Sequence, residues 1–236
     1  MRTAASGAAG VALALALTLA ACSGDGGGGD PAGDDTPAGS QAATTTTMNT
    51  GGIEVPTPEG WSAVPVPDLG MGLAVPPGWE ITLLSPDGLN SLARSSPAVP
   101  DFQNLAHAAA SAGGVLYAAG QDAAGGISDL VVRATPQAGV ATAADLTYAA
   151  QLIAANAGSD PATVQMVDGT EFPTALVPFT VGGGAPGAEG SARATNVVVA
   201  GPRDILWEVT VTSDDAASHD QLVESIRQTL TFKTAT

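Results

Sequence analysis

Two histidines, His107 and His219, are the chain's whole supply of imidazole, and they bound the acid–base and metal chemistry open to it. Each falls in its own predicted helix, far apart in sequence, with no H-E-x-x-H or paired-ligand spacing to join it to carboxylates. No metal site is expected. His219 follows a predicted helix cap, where an imidazole is read as solvated. Asp214-Asp215, after the last long strand, has the chemistry to hold a cation, but a pair of aspartates ahead of a helix also complements its N-terminal dipole, and that is the preferred reading. No G-x-S-x-G turn presents a serine nucleophile. Gly182-Gly183-Gly184-Ala185-Pro186-Gly187 matches G-x-G-x-x-G, yet a dinucleotide site needs a helix to open there; Pro186, Gly187 and Gly190 lead into another strand, so the stretch reads as a hairpin loop. No catalytic residue and no cofactor is expected.

Recognition without turnover falls to the three tryptophans, large amphipathic rings of the kind that dominate binding hot spots. Trp207 lies on an alternating strand and reads as core. Trp79 stands at a turn–strand junction and Trp61 among prolines, so these two are the candidate binding residues, with Trp61 the more exposed.

The only cysteine, Cys22, stands where an apolar run gives way to glycines and aspartates. It has no partner for an internal disulfide. Arg2 supplies a positive start, and Ala8 to Leu19 is an unbroken run of small and apolar residues. That run is shorter than the roughly 20 residues a bilayer-spanning helix needs and ends in small residues, so it reads as a signal peptide, residues 1–21. Leu19-Ala20-Ala21-Cys22 resembles a bacterial lipobox, which implies thioether diacylation of Cys22 and cleavage just before it. Two acyl chains hold where one is marginal, at about 0.8 kcal/mol per buried methylene.

The formal net charge is −16, with 23 acidic residues against seven basic ones. Anionic phosphate backbones and bilayers repel such a chain, so no nucleic-acid partner is expected and membrane contact is expected only through the lipid. Arginine outnumbers lysine six to one and alanine and glycine abound, a composition typical of GC-rich actinobacteria. Residues 22–52 contain almost nothing able to pack and read as a disordered tether of Gly, Asp, Pro and Thr. About 30 flexible residues reach on the order of 30 Å.

Residues 53–236 are long enough for one domain. Its proline-studded start permits only short extended pieces. "MGLAV" and "WEITLL" read as strands around a Pro76-Pro77-Gly78 turn, "VLYAA" and "DLVVRAT" as a pair joined by glycines, and "TVQMV", "TALVPFTV", "ATNVVVA" and "DILWEVTVT" as a meander. In the last, Ile205, Trp207, Val209 and Val211 share one face, while Glu208, Thr210 and Thr212 share a wetter one. Helices are expected over Phe102–Ala112 with Asp101 as cap, and over Ala143–Ala157 with a Thr142/Asp145 capping box. A third is expected from a Ser218 cap to Leu230, with Gln221 in the capping-box position. Leu146, Ala149, Ala150, Ile153, Ala154 and Ala157 make one alanine-rich face. Pro178 places its strand near an edge or a bulge.

Antiparallel strands with a helix inserted midway and another closing the chain define an α+β fold. "GLAVPPGWEI", the order of elements, "DILWEVTVT" and a terminal helix ending in "LTF" resemble the Mog1/PsbP-like superfamily. With the lipobox, the chain is similar to the LpqN-type lipoproteins of mycobacteria. The resemblance covers about Met71 to Phe232. It implies a central antiparallel sheet sandwiched by helices in an α/β/α arrangement, a lipid-anchored place on the outer face of the membrane or in the cell envelope, and non-enzymatic binding of an envelope protein or lipid. The competing expectation is an envelope hydrolase or transferase whose groups, around His107 or His219 with an aspartate, meet only in space.

Overall fold

The computed structural model describes residues 45–50, 52–121, 126–137, 142–182 and 191–233. The signal segment, Cys22 and the tether to residue 44 lie outside these residues, as do positions 183–190 of the glycine-rich loop.

Strand formation begins earlier than composition suggests. β1 (Thr45–Thr50) pairs antiparallel with β2 (Ile53–Pro58), with Thr50 opposite Ile53 and Gly52 at φ +79°. Residues 45–50, which the composition places in the tether, therefore form a strand. Threonine is β-branched and suits a strand as soon as a neighbour supplies the ladder, and β2 supplies it. β2 is pinned by Ile53 and Val55, both buried.

β3 (Ser62–Val66) and β4 (Met71–Val75) form a small sheet with the terminal β12 (Thr231–Phe232), in the order β12-β4-β3. Pro65 is accommodated because β3 is an edge strand. The large sheet contains β5 (Glu80–Leu83), β6 (Gly114–Gln121), β7 (Ile127–Pro136), β8 (Gln165–Val167), β9 (Thr174–Val181), β10 (Ala192–Gly201) and β11 (Ile205–Ser213). Their order is β5-β6-β7-β11-β10-β9-β8, all antiparallel. Pro178 lies opposite Thr195 on one side, whereas β8 pairs only with Thr174–Leu176, so its missing N–H breaks no ladder. Between β4 and β5, Trp79 N–H reaches Pro76 O across Pro77 and Gly78, the latter at φ +78°, as a type II turn requires.

The helices are α1 (Pro86–Leu92), α2 (Phe102–Ser111), α3 (Ala143–Asn156) and α4 (Ala216–Thr229). α3 carries the expected capping box: Asp145 N–H donates to Thr142 Oγ1, and Thr142 N–H to Asp145 Oδ2, each at 3.2 Å. Asp101 precedes α2 in a left-handed conformation and its side chain makes no cap bond, contrary to expectation. α4 starts earlier than expected. Asp215, not Ser218, is its cap, accepting from Ala217 N–H at 2.9 Å, because Ala216 and Ala217 readily continue the helix. Hydrogen bonds from Ser218 and Ala217 hold the Asp215 carboxyl below the usual range.

The fold is an α+β sandwich around the large sheet. The inner face presents Leu116, Leu130, Val132, Val197, Trp207, Val209 and Val211 to Leu73 and Val75 of the small sheet and to Val223 and Ile226 of α4. Each such side chain contributes about 1.5–3 kcal/mol on burial. The outer face carries two helices side by side. α2 covers Tyr117 and Ala119 of β6, and α3 lays Leu146, Ala149, Ala150 and Ala154 on Ala175, Val177, Val198 and Ala200. One layer is thus a small sheet plus a helix, where the resemblance implied helices alone.

Candidate functional site

The two histidines stand on opposite sides of the large sheet, His107 exposed on α2 and His219 buried under α4. The reading of His219 as solvated is overturned. Its ring is fully buried, because the apolar stripe of α4 extends back to include it. Nε2 lies 2.9 Å from Thr195 Oγ1, and Nδ1 is buried without a partner. Burial pushes its pKa down, with Arg193 acting the same way and Asp220 opposing. No carboxylate bonds the ring in this structure, so the pair lacks the base-orienting third member of a catalytic triad. Asp214 and Asp215 divide as the dipole reading expects: Asp215 caps α4, and Asp214 accepts from Ile127 N–H at 3.2 Å.

The tryptophans are less available than their sequence contexts suggest. Trp207 is core, as expected. Trp61 is half-buried against both the main core and the Ile53–Val55 cluster. Trp79 is half-buried too, its indole lying over Gly120: a Cβ there would sit 2.2 Å from Trp79 Cδ1. Neither ring lines a cavity described below.

A cleft of about 420 Å³ opens where the two sheets and the end of α4 meet. Phe172 and Phe232 form its apolar part, with ring centroids 5.5 Å apart and nearly edge to face, and Phe232 backs onto Trp207 at 5.7 Å. Glu171, Arg227, Gln228 and Thr170 supply polar groups. Arg227 is already engaged: its Nε donates to Glu224 Oε2 at 2.7 Å and Nη2 to Oε1 at 2.5 Å. That bidentate pair holds the Glu224 carboxyl below its usual range and raises the guanidinium. The alanine face of α3, by contrast, packs directly on β9 and β10. The cleft had no local sequence signal, since it joins Pro56 to Phe232.

A second polar feature lies on the outer face between α2 and α3. In register across β7, β11 and β10 stand Asp129 beside Thr212, and Thr210 beside Asn196, followed by Arg133 beside Glu208. Asn196 is buried; its Nδ2 donates to Glu208 Oε2 at 2.9 Å, and its Oδ1 has no partner. Burial pushes the Asp129 carboxyl up to about 6, with hydrogen bonds from Thr212 and Tyr117 opposing and nearby Asp214 adding to the rise. Tyr117 is raised as well, by burial first and by Asp129 second. The lone Asn196 within "ATNVVVA" was the one visible hint of this feature.

Compared with known protein families and with curated proteins, the chain matches none.

Proposed function

We propose that this chain is a lipid-anchored protein of the bacterial envelope whose folded part is a non-catalytic binding module, with its ligand seated in the cleft between the two sheets. The observation that carries this reading is the cleft itself, about 420 Å³, within the range of small-molecule sites. Its chemistry is divided. Phe172 and Phe232 favour an apolar portion, whereas Glu171, Gln228 and the neutralised Arg227–Glu224 pair favour an uncharged polar portion at the rim. An amphiphilic envelope lipid or a protein segment of mixed polarity satisfies both. Enzymatic turnover is disfavoured because the one histidine that meets a hydroxyl, His219 with Thr195, is sealed in the core.

The test is to purify the lipidated protein under mild conditions and identify what accompanies it by mass spectrometry, for the native protein and for Gln228→Trp, which fills the cleft from its exposed rim. A molecule retained by the native protein and lost from the variant supports the reading. An identical profile for both overturns it.

A further inference from the structure

In the strip between α2 and α3, polar side chains of the large sheet are only partly covered. Along β11, Glu208, Thr210 and Thr212 are each partly exposed, while their inner-face neighbours Val209 and Val211 are completely buried. A wet sheet face explains exposed threonines. It does not explain Asn196, only 3% exposed, which spends its amide donor on Glu208 and leaves Oδ1 unpaired. An unmet buried acceptor is unfavourable, and a donor that reaches it removes that cost.

The groups here are predominantly acceptors, and among the described residues of the chain no ion pair reaches them. Of its seven basic residues, Arg193 pairs with Asp220, Arg227 with Glu224, and Arg203 donates to Leu69 O. Arg133 stands opposite Glu208 in register, yet its Nε donates to Ala112 O at 3.2 Å, and it forms no ion pair with Glu208 among the described residues. A second copy of so acidic a chain is repelled, and residues 23–40 bring four aspartates and no cation.

We propose that this strip binds a basic, extended segment of another envelope protein, through guanidinium or ammonium groups received by Glu208 with Asn196 at one end and by Asp129 with Thr212 at the other. The spacing selects an extended chain. Glu208 and Thr212 are four residues apart on one face of a strand, about 13 Å, which equals the separation of side chains i and i+4 in an extended peptide. The Thr210 hydroxyl between them suits its backbone or a small polar side chain. This site is separate from the cleft and does not depend on it.

The probe is a five-residue peptide with arginine first and last and Thr-Val-Thr between, titrated into the detergent-solubilised lipidated protein by calorimetry. Saturable binding is expected, weakening with salt and falling at least tenfold in Glu208→Gln and in Asp129→Asn. Gln228→Trp, in the cleft, leaves it unchanged. Thr210→Arg, which places a cation inside the strip, abolishes it; each variant is first shown to keep a cooperative thermal transition. Equal affinity in native protein, Glu208→Gln and Asp129→Asn overturns the proposal. Spermidine binding as tightly as the peptide overturns it too, by assigning the strip to small polyamines.

Discussion

His219 Nε2 lies 2.9 Å from Thr195 Oγ1 inside the core, and this bond ties α4 to the central strand β10. The opposite nitrogen, Nδ1, has no acceptor. A proton added to this ring would therefore place a charge in a buried site beside Arg193 with nothing to receive the new donor. The folded pKa is depressed below the ordinary 6.5, so the unfolded state binds the proton more readily. Stability from this group is present above about pH 6.5 and is lost as pH falls through the folded value. His219→Gln keeps a donor near Thr195 but does not titrate. Urea denaturation between pH 7.5 and 5 is expected to show a shallower loss of stability in the variant than in the native protein; equal slopes would remove His219 from the account.

Asp129 acts in the opposite direction. Its folded pKa of about 6 exceeds the ordinary 3.8, so its contribution is fully present below 3.8 and is lost as pH rises through 6. Ionised at neutral pH, it costs about 3 kcal/mol at 1.36 kcal/mol per unit. Asp129→Asn keeps an acceptor for the Tyr117 hydroxyl, which lies 3.4 Å from Oδ2. Its stability is expected to exceed that of the native protein at pH 7.5 by about 1–3 kcal/mol, with the difference vanishing by pH 4. A variant less stable at pH 7.5 than the native protein would contradict this.

The sequence showed the long elements because their local signals agree. In α3 the Thr142/Asp145 box and the 3.6-residue period coincide, and the observed helix ends one residue short of expectation. Every strand of the large sheet overlaps a stretch that the sequence reads as extended. What failed was weak locally. α1 has seven residues and no full period, though Ser85-Pro86 announces it, with Ser85 Oγ accepting from Gly88 N–H. The burial of His219 was legible in principle: His219, Val223, Ile226 and Leu230 stand at i, i+4, i+7 and i+11. Polarity and proximity to a cap argued the other way, and the helical period prevailed. The cleft had no such trace, and the strip showed only the lone Asn196 and the wet alternation of Glu208, Thr210 and Thr212. Each is assembled from strands and helices distant in the chain, and only the sheet order brings them together.

The close approach of Trp79 to Gly120 makes a separate test of how firmly that indole is held. Gly120→Ala would put a methyl carbon 2.2 Å from Trp79 Cδ1, so the ring must move or the strand must shift. Overpacking of this kind costs about 1–3 kcal/mol. The variant is expected to lose that much stability, and Trp79→Ala in the same background is expected to recover part of it. Full tolerance of Gly120→Ala would show that Trp79 leaves the sheet readily, and would restore it as a candidate for contact with a partner.

On the proposed reading, Cys22 is the point of attachment to the membrane. Twenty-two residues separate Cys22 from Thr45, where the first described strand begins. A flexible chain of that length spans on the order of 25 Å, enough to keep an acidic domain clear of an anionic bilayer. No helix among the described residues is long and apolar enough to cross a membrane; on the proposed reading, two acyl chains on Cys22 hold the protein there. Cys22→Ser removes the attachment point and leaves the residues of the fold untouched. In phase partitioning of whole-cell extracts, the native protein is expected in the detergent phase and the variant in the aqueous phase, with the same thermal transition for both. Detergent partitioning of the serine variant would place the anchor elsewhere in the chain.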